Sequence, residues 1–298
     1  MKITRDIWTK ALLLHEHSKR NNEKLSRVKL TEIMQISDRM AGDLIFAIEN
    51  KHIIRFNPVD IECKDDREIV FNDVHIPFQD DLAVSAVLDF ARDYKPTIIT
   101  INGDLIDFYQ VSKFSKDPSR KKVYQEIKQA KEFLVNLRNE HPDAQIHFKE
   151  GNHEQRLTRF IMDSAKEIYE LIENLIQEKL KLSELDIKYH IKPFRIGKLW
   201  HLHGHEKPGG SYNPEYITNV MWKYIHDHFI VAHYHRNQNK TFKKITGENF
   251  WGGAVGYLAG ELDYAILNNW TQGFATIDYA KDGNFKAKIF DIWEGKIL

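Results

Sequence analysis

Five runs of strand-forming residues along this chain each break off into carboxylate, amide or imidazole side chains. Glu68-Ile69-Val70-Phe71 runs into Asn72-Asp73-Val74-His75, and Thr97-Ile98-Ile99-Thr100-Ile101 into Asn102-Gly103-Asp104-Leu105-Ile106-Asp107. Gln145-Ile146-His147-Phe148-Lys149 leads past Glu150 to Gly151-Asn152-His153-Glu154. A run over 194–202 gives way to His203-Gly204-His205, and one over 228–232 to His233-Tyr234-His235. Between the first three runs stand helical periodicities, Leu82 to Tyr94 and 119–139. Strand, helix, strand, helix, strand means parallel strands with helical crossovers. Ligands of open α/β sheets gather at the carboxyl ends of the strands. One aspartate there is usually a cap and one histidine usually surface decoration. Five polar sets in the same topological position argue for one site.

The remaining pattern frames that core. Residues 155–182 read as one long helical stretch without a break, an insertion spanning about 155–185. Beyond 186 the texture turns to strands, including 240–245 and 249–255, and Asp282-Gly283 marks a closing hairpin. Residues 1–60 read as a separate small helical domain. Leu25-Ser26 opens one helix, with Val28, Leu30, Ile33, Met34 and Ile36 recurring on it. Ser37-Asp38 caps a second over Arg39 to Asn50, and a short strand follows at Ile53–Phe56. That outline is a winged helix-turn-helix, which serves DNA binding or dimerisation. Asp38, Asp43 and Glu49 on the recognition helix would repel phosphates. Asn57-Pro58 and the charged run Asp60–Arg67 read as a linker, so the second domain is taken as 61–298.

Lys+Arg and Asp+Glu both number 43, so global attraction to nucleic acid or an acidic membrane is not indicated. No apolar run reaches the roughly 18 residues of a membrane span. The single cysteine, Cys63, cannot form an internal disulfide, and the expected compartment is the cytoplasm.

Two divalent cations about 3.5–4 Å apart would explain the polar set, since such a pair clamps a phosphoryl group and activates water. Asp73-x-His75 and His233-x-His235 can aim alternate side chains at one locus, and glycines 103, 151 and 204 let the backbone turn beside it. No thiolate takes part, which sets aside a structural zinc knot.

The ordered blocks DVH (73–75), GD (103–104), GNHE (151–154), HG (203–204) and AHYH (232–235) resemble the calcineurin-like metallophosphoesterases, over about 66–298. Ala232 stands where that pattern usually has glycine. The resemblance implies an α/β, four-layer α-β-β-α sandwich and a hydrolase of phosphate esters. It implies two divalent ions, Mn²⁺ foremost, with Fe, Zn, Ni or Co as other occupants. By motif, Asp73, His75 and His235 would hold one ion, Asn152, His203 and His233 the other, and Asp104 would bridge them. His153 would face the substrate, as the general acid or as a donor to its phosphate, oriented by Asp107.

Arg156 and Arg236 are candidate phosphate contacts, with salt bridges to nearby acids as the bland reading. His201 is read as packing, His205 as an exposed loop residue, His226 and His228 as packing or solvent residues, and Trp251 and Tyr257 as core. Phe108-Tyr109 after Asp107 departs from the Arg-Gly of protein phosphatases. A helix-turn-helix-like module joined to such a core resembles phosphoesterases of phage and prophage. Three readings follow: a phosphodiesterase or nuclease whose residues 1–60 bind DNA or a partner, a small-molecule phosphomonoesterase that homodimerises through them, or a non-enzymatic regulator. A membrane is not an expected partner.

Overall fold

The computed structural model describes residues 14, 18, 25–37, 41, 45 and 59–298, apart from 113–116, 118, 121, 166, 168–173, 207–213 and 261–267. The chain separates into two compact units, Met1–Asn57 and Pro58–Leu298.

In the first unit, helix α1 (Arg27–Met34) starts at Ser26, whose hydroxyl accepts the Lys29 N–H at 3.2 Å, the N-cap contact expected of serine. Leu30, Leu25, Ile36 and Ala41 are buried together. Val28 and Ile33 point to solvent, and Ile36 lies beyond the helix end, after Gln35 turns left-handed. Of the expected second helix only positions 41 and 45 are described, and the expected strand at 53–56 lies outside the described residues.

The second unit begins with β1 (Val59–Ile61), a strand inside the run expected to be a linker. β2 (Arg67–Phe71), α2 (Asp81–Tyr94), β3 (Ile98–Ile101), α3 (Val123–Glu140) and β4 (Gln145–Lys149) follow where the alternation places them. Asp80 caps α2 by accepting the Leu82 and Ala83 N–H groups, and Lys95 ends it left-handed before Pro96. α4 (Glu154–Ser164) stops at Ala165, and α5 (Leu175–Lys179) is short and separate. The single long helix expected over 155–182 is therefore broken. β5 (Ile187–His190), β6 (Phe194–Ile196) and β7 (Leu199–Leu202) come next; the one run expected over 194–202 is a tight hairpin. Gly197 turns it at φ +53°, and a Cβ there would meet Cys63 Sγ at 2.8 Å. α6 (Ile217–Ile225) precedes β8 (Phe229–Val231), β9 (Gln238–Lys243) and β10 (Asn249–Ala254). β11 (Gln272–Tyr279), β12 (Phe285–Trp293) and β13 (Lys296–Ile297) close the chain, with the hairpin turn at Asp282-Gly283.

One sheet has the order β13-β12-β11-β2-β3-β4-β5, and β2 to β5 pair in parallel. The other has the order β1-β6-β7-β8-β10-β9. Apolar side chains sort into three layers. Ala83, Val87 and Leu134 of α2 and α3 pack on Ile69, Ile99 and Ile146 of the first sheet. Val70, Ile98 and Ile277 face Phe194, Leu199 and Ile230 between the sheets. Ile217 and Met221 of α6 pack on Phe229 and Val231 of the second sheet. Helices therefore flank two facing sheets, an α/β sandwich. β2, β3 and β4 are buried on both faces, so their chain ends are where polar side chains can emerge.

Candidate metal centre

The turns after β2, β3, β4, β7 and β8 meet. Asp73, His75 and His235 bring their ligand atoms within 4.8 Å of one another, and so do Asp104, His203 and His233. A third group, His75, Asp104 and His153, overlaps both. His235 Nε2 lies 3.3 Å and His75 Nε2 3.7 Å from Asp73 Oδ1. His203 Nε2 lies 3.1 Å from Asp104 Oδ2 and 3.1 Å from Asn152 Oδ1. All seven expected ligands thus share one locus.

The local backbone explains how. Asp73, His75, Asp104, His233 and His235 all have φ between 50° and 67°, the left-handed region. Aspartate and histidine enter it more readily than most residues, at a cost on the order of 1–3 kcal/mol each. Two glycines make room. A Cβ on Gly151 would lie 2.1 Å from Asp104 Oδ1, and one on Gly103 2.2 Å from His203 Nδ1.

Glu154 then ties the turns together. Its buried carboxylate accepts the N–H groups of Gly151 at 2.8 Å, Asp104 at 3.0 Å and Ile106 at 3.1 Å. Burial and the nearby Asp104 push it up to about 7. Its organising role went unassigned in the sequence, although it is the last letter of GNHE. His203 is steered from behind, its Nδ1 2.8 Å from the Asn102 carbonyl, which leaves Nε2 toward the centre.

Whether these residues suit cations is tested by what they leave bare. Asp73 Oδ1, His75 Nε2 and Asp104 Oδ2 are buried without a hydrogen-bond partner. Buried polar atoms are usually paired, so bare carboxylate oxygens and an imidazole nitrogen gathered here fit a site for cations. Carboxylate, amide and imidazole donors without thiolate suit Mn²⁺, Fe²⁺, Co²⁺, Ni²⁺ or Zn²⁺. The electrostatics agree. Burial alone would raise the Asp73 and Asp104 carboxyls, yet the surrounding histidines hold both below the usual carboxylate range. Burial would lower His75 and His203. The neighbouring carboxylates of Asp107, Asp73 and Asp104 instead raise His75 to about 10, and Asp104 raises His203 to about 9. His233, with burial dominant, falls to about 3.

Beside the ligands, His153 is buried, its Nδ1 2.9 Å from Asp107 Oδ1 and its Nε2 3.7 Å from Asp104 Oδ2. Burial holds its imidazole below its ordinary range. Asp107 also meets His75 Nδ1 at 3.2 Å. Arg156 does not point away: its Nη1 donates to the Asp107 carbonyl at 3.0 Å and its Nη2 lies 2.6 Å from His153 Nε2. Arg236 is half-buried and its Nε has no hydrogen-bond partner.

His205 departs from its expectation. Its side chain is 11% exposed and its ring lies 5.3 Å from that of His203, so it belongs to the wall of the centre. His201 is wholly buried on Glu68 and serves packing, and His228 accepts the Trp251 N–H at 3.0 Å. Trp251 packs between the sheets. Tyr257 stacks on His235 at 5.1 Å, with Trp270 edge-on to the same ring at 4.3 Å.

Residues 67–274 match the family model of the calcineurin-like phosphoesterases. The chain belongs to that family. A calcineurin-like phosphoesterase is a metal-dependent hydrolase of phosphate esters, and the donor set above fits that chemistry. The chain is 27% identical over 229 residues to the Gene 54 protein of Mycobacterium phage L5, covering 71% of this chain and 88% of that one. It is 28% identical over 235 residues to the Gene 54 protein of Mycobacterium phage D29, covering 73% and 90%. Among solved structures, vacuolar protein sorting 29 from Cryptosporidium parvum aligns with a TM-score of 0.44 at 14% identity, over 78% of this chain and 94% of that one. No described helix is long and apolar enough to cross a membrane.

Proposed function

We propose that this phosphoesterase is a two-metal phosphodiesterase acting on base-bearing esters, nucleotides or nucleic acid. The observation that supports two cations is the pair of bare carboxylate oxygens, Asp73 Oδ1 and Asp104 Oδ2, each facing its own histidines. Asp73, His75 and His235 would hold one ion and Asn152, His203 and His233 the other, with Asp104 shared between them. When bound, the ions supply Lewis acidity toward a phosphoryl group and the activation of water, with Mn²⁺ as the first metal to try.

The protein's own residues handle the rest. His153 delivers a proton from Nε2 to the leaving oxygen, while Asp107 anchors Nδ1 and fixes the ring. An anionic phosphate beside the imidazole raises its affinity for that proton. Arg156 covers Nε2 in the resting arrangement, so substrate entry shifts its guanidinium onto the phosphate, where two N–H groups can pair with two oxygens. Arg236 is assigned a second phosphate contact.

The base-bearing assignment rests on aromatic rings next to the candidate ligand turns. Tyr257 and Trp270 pack against His235. Phe78 and Tyr109 meet at 5.8 Å, with the Arg120 guanidinium 5.1 Å from the Phe78 ring centre. Such surfaces stack nucleobases. Residues 1–60 are assigned DNA contact or self-association.

The test compares thymidine 5′-(p-nitrophenyl phosphate) with methyl p-nitrophenyl phosphate and p-nitrophenyl phosphate, using metal-stripped protein reloaded with Mn²⁺. The reading expects both diesters to be cleaved and the nucleoside diester to have the higher kcat/KM. Preference for the monoester would overturn it. A gel shift of the whole chain on duplex DNA at two salt concentrations tests the N-terminal assignment, and no shift at low salt removes it.

A further inference from the structure

Lys149 is fully buried, at the end of β4 and three residues before Asn152. An ammonium has three protons to place. Three acceptors surround this one: Glu206 Oε1 at 3.0 Å, the Glu150 carbonyl at 2.6 Å and the Ile191 carbonyl at 3.1 Å. The Glu206 carboxylate in turn accepts the His203 N–H at 3.2 Å and the Gly204 N–H at 2.6 Å. One ion pair therefore fastens the loop carrying His203 to the strand end carrying Asn152. Those are the two side chains that approach to 3.1 Å at the centre. The Asp73–His75–His235 group is held differently, by backbone bonds from Leu258 to Asp73, His75 to Asp104 and Thr271 to His235.

We propose that Lys149 and Glu206 are the positioning pair for the Asn152–His203–His233 half of the centre, setting the affinity of the second cation independently of the first. This rests on the two-cation reading. A buried lysine beside a cation site is otherwise unfavourable, since its charge repels the ion. Glu206 cancels that charge while using both oxygens to orient the loop.

Charge and position make opposite predictions for one variant. If the pair acted through charge alone, Lys149→Met would remove a repelling cation and tighten the second ion. If it acts by positioning, the same change frees Glu206 and loosens the His203 loop, so the second ion weakens. Groups that orient ligands typically cost roughly ten- to a hundredfold in metal affinity when removed.

The experiment is a Mn²⁺ titration of metal-stripped full-length protein by calorimetry, with bound Mn²⁺ counted by elemental analysis and folding followed by thermal melting. Wild type is expected to bind two ions per chain. K149M and E206Q are each expected to keep the first ion at wild-type affinity and to lose at least about tenfold on the second. Tighter or unchanged second-ion binding in K149M overturns the proposal, as does equal weakening of both ions. Should K149M fail to fold, K149Q keeps an amide donor for Glu206 while removing the charge: a second ion bound more tightly than in wild type overturns the proposal, and one bound no more tightly supports it. A wild-type chain that binds fewer than two ions would sink the two-cation reading itself, a result distinct from any difference between variants.

Discussion

Glu68 lies within β2 and Asp73 just past its end, and both carboxylates are fully buried beside histidines. Glu68 Oε1 accepts the Thr100 hydroxyl at 2.5 Å, and Oε2 accepts Tyr279 at 2.7 Å and His201 Nε2 at 3.1 Å. Phe194 stacks between the rings of His190 and His201, at 4.1 and 4.8 Å. This inter-sheet layer is polar yet closed: each Glu68 oxygen has its donor. At Asp73 only Oδ2 is supplied, by Asn72 at 2.5 Å and the His233 N–H at 3.0 Å. His147 Nε2 and His201 Nδ1 also lack partners, but neither joins a group of three metal-ligating side chains among the described residues. Buried histidine and carboxylate alone therefore do not make a site. Oxygens left bare toward several imidazoles do.

The sharpest break of that contrast is Asp104→Ala. It removes the carboxylate proposed to serve both ions, and hydrolysis of a p-nitrophenyl diester should fall by on the order of a thousandfold or more, with Mn²⁺ content by elemental analysis falling too. His153→Ala probes a group beside the bare oxygens that is proposed as the proton donor and not as a ligand. Turnover should drop by roughly a hundred- to ten-thousandfold while the metal content stays at the wild-type level. The drop should be steeper for poor leaving groups, and a uniform loss across leaving groups would reject the proton-donor assignment.

Protons should compete with metal at the open layer. His75 is raised to about 10 and His203 to about 9, so both carry protons in metal-free protein at neutral pH. Each proton must leave before its lone pair can bind an ion. Mn²⁺ affinity should therefore climb by about tenfold per pH unit for each proton released, from pH 6 toward 9, and flatten above about 10. The stability of the metal-free fold should run the other way. A raised histidine stabilises fully below its ordinary 6.5 and loses that contribution as pH climbs through 9 and 10. Melting curves with and without metal at pH 7 and 10 check both signs. At the closed layer, Glu68→Ala should cost about 3–5 kcal/mol in denaturant unfolding, because it strands His201, Tyr279 and Thr100. Its effect on metal stoichiometry should be the smallest of all, and loss of an ion there would erase the distinction between the layers.

Much of this was legible beforehand. β2, β3 and β4 advertise themselves through β-branched and aromatic runs buried on both faces, and the Asp282-Gly283 hairpin through its turn residues. The ligand loops are legible because strand ends in a sheet of parallel strands share one edge. Other features depended on contacts distant in the chain. β1 sits in a charged run and exists because it pairs with β6 at the sheet edge. β5 has little pattern of its own and pairs with β4. The break in α4 follows no proline or glycine. Glu154, Lys149 and Glu206 look like surface charges in one dimension. Only folding reveals that each ends among backbone amides or carbonyls.

The five left-handed backbones at the candidate ligands place this protein under two opposing demands. Glycine would suit each of those φ angles better than aspartate or histidine does, and removing an aspartate would also ease the crowding of like charges. Selection for heat tolerance and selection for turnover should therefore pull positions 73, 75, 104, 233 and 235 in contrary directions. Descendants freed from the chemistry would be expected to harden at these five positions first.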